Sequence, residues 1–415
     1  MIRYFLLFII PISITFSQLH FSGFVNPSQM YGLKNGDTFN LPFRFGELEA
    51  GYSFTNSEFK IIGAAEHRWT NMTTDFEIRE AYWIWYPSFG DISIGKQIHA
   101  WGYADASNPT DNINAYDYYY LFLTGIDRKI GSYSASIRYY GENWQVQGII
   151  QTEHQPNRLV FEDDFPIQPP INPPSSAIDD IDDELEFGFR TQFSFDNSDL
   201  SISYFHGHER MLSAYTFNNS LPYLTPIQFE YRKSDILGID MVNLFGDFIF
   251  RNEIAFFTTK SDKYHSSADI SILMFNWTGK YIQYVSQVEY TGFSDILIAA
   301  QFLGNHTIEV KPTFMEDFFQ GGMGTPFANI FENAFLISAA IDLFNNMLEI
   351  KPLILVNLED KGYMTGCELN YSPIDNWILE TTLNNFVGDD ELGDNYIFNQ
   401  LEDFSHIKIG IKYSF

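Results

Sequence analysis

The sequence predicts an all-β fold, a transmembrane antiparallel up-and-down β-barrel of about 18 strands, within a range of roughly 16–20. Three observations carry that prediction. The last ten residues, His406 to Phe415, alternate apolar and polar without a slip. Alternating runs recur along the whole chain and meet at short Gly/Asn/Asp/Pro turns on one side and long polar segments on the other. Aromatic residues make up 18% of the chain, with 41 Phe and 25 Tyr, yet mean hydropathy is near neutral. That combination arises when half of each strand meets lipid and the other half meets water.

The amino-terminal run reads as a signal peptide. Arg3 is followed by the apolar Tyr4-Phe5-Leu6-Leu7-Phe8-Ile9-Ile10, then Pro11 and small or polar residues to Ser17. The apolar stretch is too short to span a bilayer, so cleavage after Ser17 is expected, leaving 18–415 as one barrel domain. Gln18 to Phe24 enters a strand at once, with no room for an amino-terminal plug domain. The single cysteine, Cys367, has no internal disulfide partner.

Charge narrows the function. The chain carries 53 acidic against 24 basic residues, a net of -29, which excludes general nucleic-acid binding. Acids crowd into segments such as Asp179-Asp180-Ile181-Asp182-Asp183-Glu184 and Asp389-Asp390-Glu391. The plain reading is solvated loop tips; the sharper one is divalent-cation bridging to lipopolysaccharide.

Short turns are predicted at Thr55-Asn56-Ser57, Pro87 to Asp91, Gly141-Glu142-Asn143, Asp196-Asn197-Ser198, Phe245-Gly246-Asp247, Phe344-Asn345-Asn346 and Pro373 to Asn376. Long polar segments are predicted at 27–43, 99–126, 154–183, 210–227, 260–278, 305–328 and 387–404. This sorting of connections places short turns in the periplasm and long loops outside. The run 168–178 holds Pro169, Pro170, Pro173 and Pro174 and belongs to an exposed or infolded loop. Segment 264–278 is either one more strand or part of a loop.

Alternation assigns faces. Leu185, Phe187, Phe189, Phe193, Phe195, Tyr133, Ala135, Ile137, Tyr139, Phe248, Phe250, Ile254, Phe256, Phe59, Ile61 and Trp69 point to lipid. The candidate pore-lining set is Glu66, Arg68, Glu77, Arg79, Gln97, His99, Arg138, Glu186, Arg190, Arg251 and Glu253. Unpaired buried charges cost several kcal/mol each, so these side chains must pair or meet water, and a water-filled lumen is expected. Opposed charges there would set up a transverse field that sorts solutes. The alternative is wall ion pairs that stiffen the barrel.

Two resemblances add to this reading. A strand that ends on Phe415, with Tyr413 two residues before, resembles the closing strand of bacterial outer-membrane barrels. The resemblance implies that Tyr413 and Phe415 form the signal read by the barrel-assembly machinery, with lipid and lipopolysaccharide as partners. The stretch Arg79-Glu80-Ala81-Tyr82, Gly95-Lys96-Gln97, Trp101-Gly102 and Asn108-Pro109-Thr110-Asp111 resembles a porin-like outer-membrane family of unknown function, distantly similar to alginate-export barrels. It covers roughly 79–111, with weaker similarity around 281–303 and at the carboxyl terminus. It implies a diffusion channel or export pore and no particular substrate. The chain departs from that pattern at Tyr116, Tyr118, Tyr119 and Tyr120.

Those tyrosines are read first as an interfacial girdle. The other reading has loop 99–126 folded into the lumen, with rings stacking on sugars. His206-Gly207-His208 lacks an identifiable third ligand, so no metal is expected. No Gly-x-Ser-x-Gly elbow, phosphate loop or dinucleotide fingerprint is present, and neither an enzyme nor a cofactor is expected. The function predicted is a passive porin-like channel for small hydrophilic solutes in the bacterial outer membrane. A saccharide-specific transporter and a closed structural or surface-interaction barrel are the alternatives.

Overall fold

The structure is a computed structural model and describes residues 18–123, 125–161, 172–220, 223–261, 272–274, 277–313 and 319–415. The expected signal peptide, Pro169, Pro170 and most of 264–278 lie outside the described residues. Twenty-two strands are present: β1 (Leu19–Val25), β2 (Ser28–Gly32), β3 (Phe43–Ser53), β4 (Ser57–Arg68), β5 (Thr73–Trp85), β6 (Gly90–Gln97), β7 (Ser132–Tyr140), β8 (Trp144–Gln151), β9 (Glu186–Phe195), β10 (Ser198–His208), β11 (Ser213–Ser220), β12 (Tyr223–Glu230), β13 (Lys233–Phe245), β14 (Phe248–Lys260), β15 (Ile272–Met274), β16 (Thr278–Tyr290), β17 (Ile296–Lys311), β18 (Asn333–Leu343), β19 (Leu348–Asn357), β20 (Tyr363–Ile374), β21 (Trp377–Val387) and β22 (His406–Ser414).

All but β11, β12 and β15 belong to one closed antiparallel sheet. β1 and β2 are the two halves of one barrel strand, which gives the 18-stranded barrel. Pro27 divides them because it has no N–H to donate. Before it, β1 pairs along β3 and, at Phe24 and Val25, with β22; after it, β2 pairs with β22. Closure is completed at the terminus, where the N–H and C=O of Phe415 exchange hydrogen bonds of 3.0 Å with Gly23. Tyr413 and Phe415 lie exposed on the outer face.

The alternating pattern has its physical cause in the two solvents of the wall. Phe187, Phe189, Ile254, Phe256, Ile409 and Ile411 are exposed on the outside, while Glu186, Ser201, Ser203, Glu253 and Gln283 are buried inside. Aromatic side chains gather near the short-turn end, where Trp377 meets Tyr413 at 4.8 Å, Phe248 meets Tyr290 at 5.0 Å and Tyr139 stacks on Trp144 at 5.4 Å. A bulge in β5 turns both Arg79 and Glu80 inward; alternation alone gives only Arg79.

The loops differ from expectation in several places. The first long loop starts after β2, at 33, because 28–32 is strand. β17 runs on to Lys311, so 305–311 belongs to the wall. Two connections at the loop end, 69–72 and 358–362, are short, which breaks the strict alternation of lengths. β11 within 210–227, β12, which starts there and runs on to Glu230, and β15 within 264–278 form a separate three-stranded sheet. A helix α1 (Ile397–Glu402) also buries Phe398 and Leu401.

Candidate functional site

The interior is organised by segment 98–131, which leaves β6 and folds into the barrel. Trp101, Ile113, Ala115, Tyr116 and Leu121 are each at most 3% exposed. The residues that carried the family resemblance hold this segment in place. The Trp101 indole donates to Gln147 at 3.1 Å. Gly102 has φ +83, and a Cβ there would sit 2.6 Å from the Glu253 carboxylate oxygens. Glu253, reaching in from β14, accepts from the N–H of Tyr103 at 2.5 Å, the N–H of Ala104 at 2.7 Å and the hydroxyl of Thr110 at 2.9 Å. Asn108 N–H donates to the Thr325 hydroxyl at 2.9 Å, and Gly324 N–H donates to the Asn112 side-chain oxygen at 3.0 Å. The segments 98–131 and 319–332 therefore interlock inside the barrel.

Apart from Glu186, the remaining sequence-predicted residues fall into three settings. At the root of the segment, Gln97 and His99 are buried, and both reach the Ser134 hydroxyl, His99 at 2.9 Å. Burial, reinforced by Arg138, pushes the His99 imidazole down to about 4. They hold the loop root rather than an open passage. On the wall beneath the segment, Arg79 meets Glu47 at 2.6 Å and Arg190 meets Asp240 at 2.7 Å. Arg251 pairs with Glu289 and donates to the Tyr103 carbonyl at 3.0 Å. Glu77 is half-buried on β5. Arg138 is the most solvent-accessible of the paired bases in this set, its side chain 37% exposed and 3.9 Å from Asp91. Nearer the loop end, Glu66 takes two contacts from Arg158, at 2.9 and 2.8 Å, and a 2.8 Å hydrogen bond from Tyr120. Arg68 stands over the Tyr119 ring at 5.4 Å.

The tyrosines are not an interfacial girdle. Tyr116, Tyr118 and Tyr120 are buried inside the barrel, and cations face the rings of Tyr116, Tyr119 and Tyr120. Arg44 lies 4.4 Å from the Tyr120 centroid, Arg158 4.7 Å from Tyr119 and Lys129 3.7 Å from Tyr116. These contacts are favourable where water is scarce, which offsets the desolvation of the bases. Asp117 caps the turn by accepting from Tyr119 N–H at 3.0 Å and pairs with Arg158 at 3.0 Å. Burial pushes its carboxyl up to about 6, although Arg158 opposes the shift.

The expectation of a wholly water-filled lumen also needs correction. Tyr116, Leu121 and Val160 from the loops pack with Val285, Leu303, Leu355 and Phe386 from the wall in one apolar cluster. A second cluster joins Trp101 and Ile113 to Ile149, Phe205 and Phe257. The inward charges are accommodated by pairing with one another and with the infolded backbone, so part of the interior is dry. Toward the short-turn end the pairs are wetter. Lys60–Glu49 at 2.8 Å and Lys351–Glu349 at 2.9 Å keep about a quarter to two-fifths of each side chain exposed.

The His206/His208 pair is split. His206 bonds Asp235 at 2.8 Å on the outer side, whereas His208 is buried near Glu186 and His154. The cluster of three that sequence reading did not assemble is thus His208 with Glu186 and His154. The guanidinium of Arg210 already occupies this cluster, 2.6 Å from Glu186 and 3.1 Å from His154, and it also donates to the Ile113 carbonyl at 2.9 Å. A cation held by the chain itself therefore fills the role a metal would take. Arg158, Arg210 and Arg232 were not singled out from the sequence. Their signal was rarity: they are bases in long loops of a chain with 24 bases against 53 acids.

No family model matches the chain, and no curated protein matches it. Solved structures do. Pseudomonas aeruginosa OccK2 (OpdF), in complex with glucuronate, is 10% identical over 96% of this chain and 98% of its own, with a TM-score of 0.55. OccK8 (OprE) and opdK of the same organism reach a TM-score of 0.51 each, at 9% and 8% identity, over 96% of this chain and 98% and 99% of theirs. At such identities the likeness establishes the fold alone, a closed 18-stranded antiparallel barrel of the kind these outer-membrane proteins have.

Proposed function

We propose that the chain is a porin-like outer-membrane channel for small hydrophilic solutes, its bore narrowed by segment 98–131. The observation that carries this reading is the set of half-exposed ion pairs of both signs toward the short-turn end, Lys60–Glu49, Arg138–Asp91 and Lys351 with Glu349 and Glu368. Side chains that keep this much access on the inward face need water beside them. Of the sequence-predicted residues, the pore-lining assignment in this proposal rests on the accessible wall positions, with Arg138 the most accessible paired base, and leaves out the buried Gln97, His99, Glu186 and Glu253. A saccharide-selective channel is the second reading. It is supported by Tyr119, half-buried between Arg68 and Arg158, and by the glucuronate named with OccK2. The resemblance to alginate-export barrels belongs with it. A closed barrel is the third reading, supported by the apolar cluster that joins loops to wall.

The cellular context belongs to the same proposal. Residues 1–17 act as the signal peptide, Tyr413 and Phe415 are read by the assembly machinery, and the acidic loops meet lipopolysaccharide through divalent cations. Liposome swelling with a pentose, a hexose and a disaccharide tests the function. Uptake that falls steeply with solute size supports a narrow passage. Equal rates for all three contradict the narrowing by segment 98–131, and no swelling by a folded barrel moves the assignment to the closed reading.

A further inference from the structure

A pocket of about 570 Å³ lies among the loops above the infolded segment, separate from the charged wall described above. Its lining is dominated by Leu121, Met211, Phe217, Phe229, Trp277 and Ile330, which come from five different stretches of the chain. That volume falls within the range of about 300–1,000 Å³ found for small-molecule sites, and a mainly apolar wall with few polar groups is their usual composition.

The polar groups at the pocket decide what it takes. Arg232 is committed elsewhere: it donates to Glu209 at 2.6 Å and to the Gln320 carbonyl at 2.8 Å, with its guanidinium 4.9 Å from the Phe319 ring centroid. The Ser213 hydroxyl donates to the same Glu209 at 3.4 Å. The Asn329 side-chain oxygen accepts from Gln283 and from Asn305, each at 3.0 Å. The positive charge at the wall is thus matched by a carboxylate of the chain. An ionised ligand entering here would leave water without gaining a counter-charge, which is costly. A ring pressed between Trp277, Phe217 and Phe229 gains burial and stacking.

We propose that this pocket is a binding site for a neutral small molecule with an apolar ring system, its few polar groups left at the rim. The site goes beyond the channel reading and does not depend on it, since binding is measured with no flux across the barrel.

Isothermal titration calorimetry of the full chain in lipid nanodiscs tests it, using phenyl β-D-glucoside, D-glucose and phenyl β-D-glucuronide as probes. The glucoside is expected to bind at least about tenfold more tightly than either of the others, because only it combines an apolar aromatic ring with no charge. Leu212→Glu, which places an unpaired charge on the pocket wall, should weaken the glucoside by about tenfold or more. Met211→Gln is the milder variant and should weaken it severalfold, with far-ultraviolet circular dichroism unchanged. Equal affinity for glucose and the glucoside overturns the proposal, as does no binding of the glucoside. Preference for the glucuronide overturns it by making the pocket an anion site. Undiminished binding in both folded variants places the ligand elsewhere and overturns it too.

Discussion

Glu253 illustrates how one side chain governs the interior. It is 2% exposed, and its carboxylate is satisfied almost wholly by donors of the infolded segment. Alternation in β14 was enough to turn it inward, but its partners stand some 150 positions earlier in the chain and no local pattern announces them. Asp117 is the matching case in the loop itself. Burial raises its carboxyl to about 6, above the ordinary value near 4. The sign follows: the contribution of this group to loop docking is fully present below about 4 and is lost as pH rises through about 6. Current noise from loop motion should therefore grow between pH 4 and 6 in the native chain. In Asp117→Asn that rise should vanish, while noise that follows the same pH profile in the variant would assign it to another group.

At the scale of elements, the strands were legible and the loops were not. A barrel strand has two solvents and hence a period of two, so β9, β14 and β22 can be read residue by residue. Pro27 marks the place where the first strand leaves β3 and stays with β22 alone, a break that composition flags but only pairing explains. The infolded segment follows no period because it is held by single hydrogen bonds to distant wall residues. Trp101 is its main apolar anchor, packed with Ile113, Ile149 and Phe205. Trp101→Ala should weaken docking of the segment by about 3–5 kcal/mol, the cost typical of such a truncation. Larger single-channel current with more frequent transitions is the expected readout, and an unchanged current would detach this segment from the bore. The closing strand carries its own prediction. Phe415→Ala keeps the backbone exchange with Gly23 but removes the exposed ring, so folded yield in cells should fall severalfold while refolding in vitro is little changed. An equal loss in both settings would make the ring a packing residue rather than a signal.

The whole molecule balances a wall built for water and lipid against loops that refill its centre. Composition predicts the first, since 53 acids, 24 bases and 66 Phe and Tyr side chains suit a two-faced wall. It says nothing of the second, because the apolar residues of 98–131 and 319–332 look like ordinary loop content until the wall surrounds them. The half-exposed pairs toward the short-turn end are individually weak, on the order of 1 kcal/mol or less. Their meaning is the water they require. The direct test is single-channel recording of the refolded chain in a planar bilayer, alongside Arg138→Glu, a change at a 37% exposed side chain. A small, stable current whose selectivity moves toward cations in the variant is the predicted result. A barrel shown to be folded that passes no current would contradict the account.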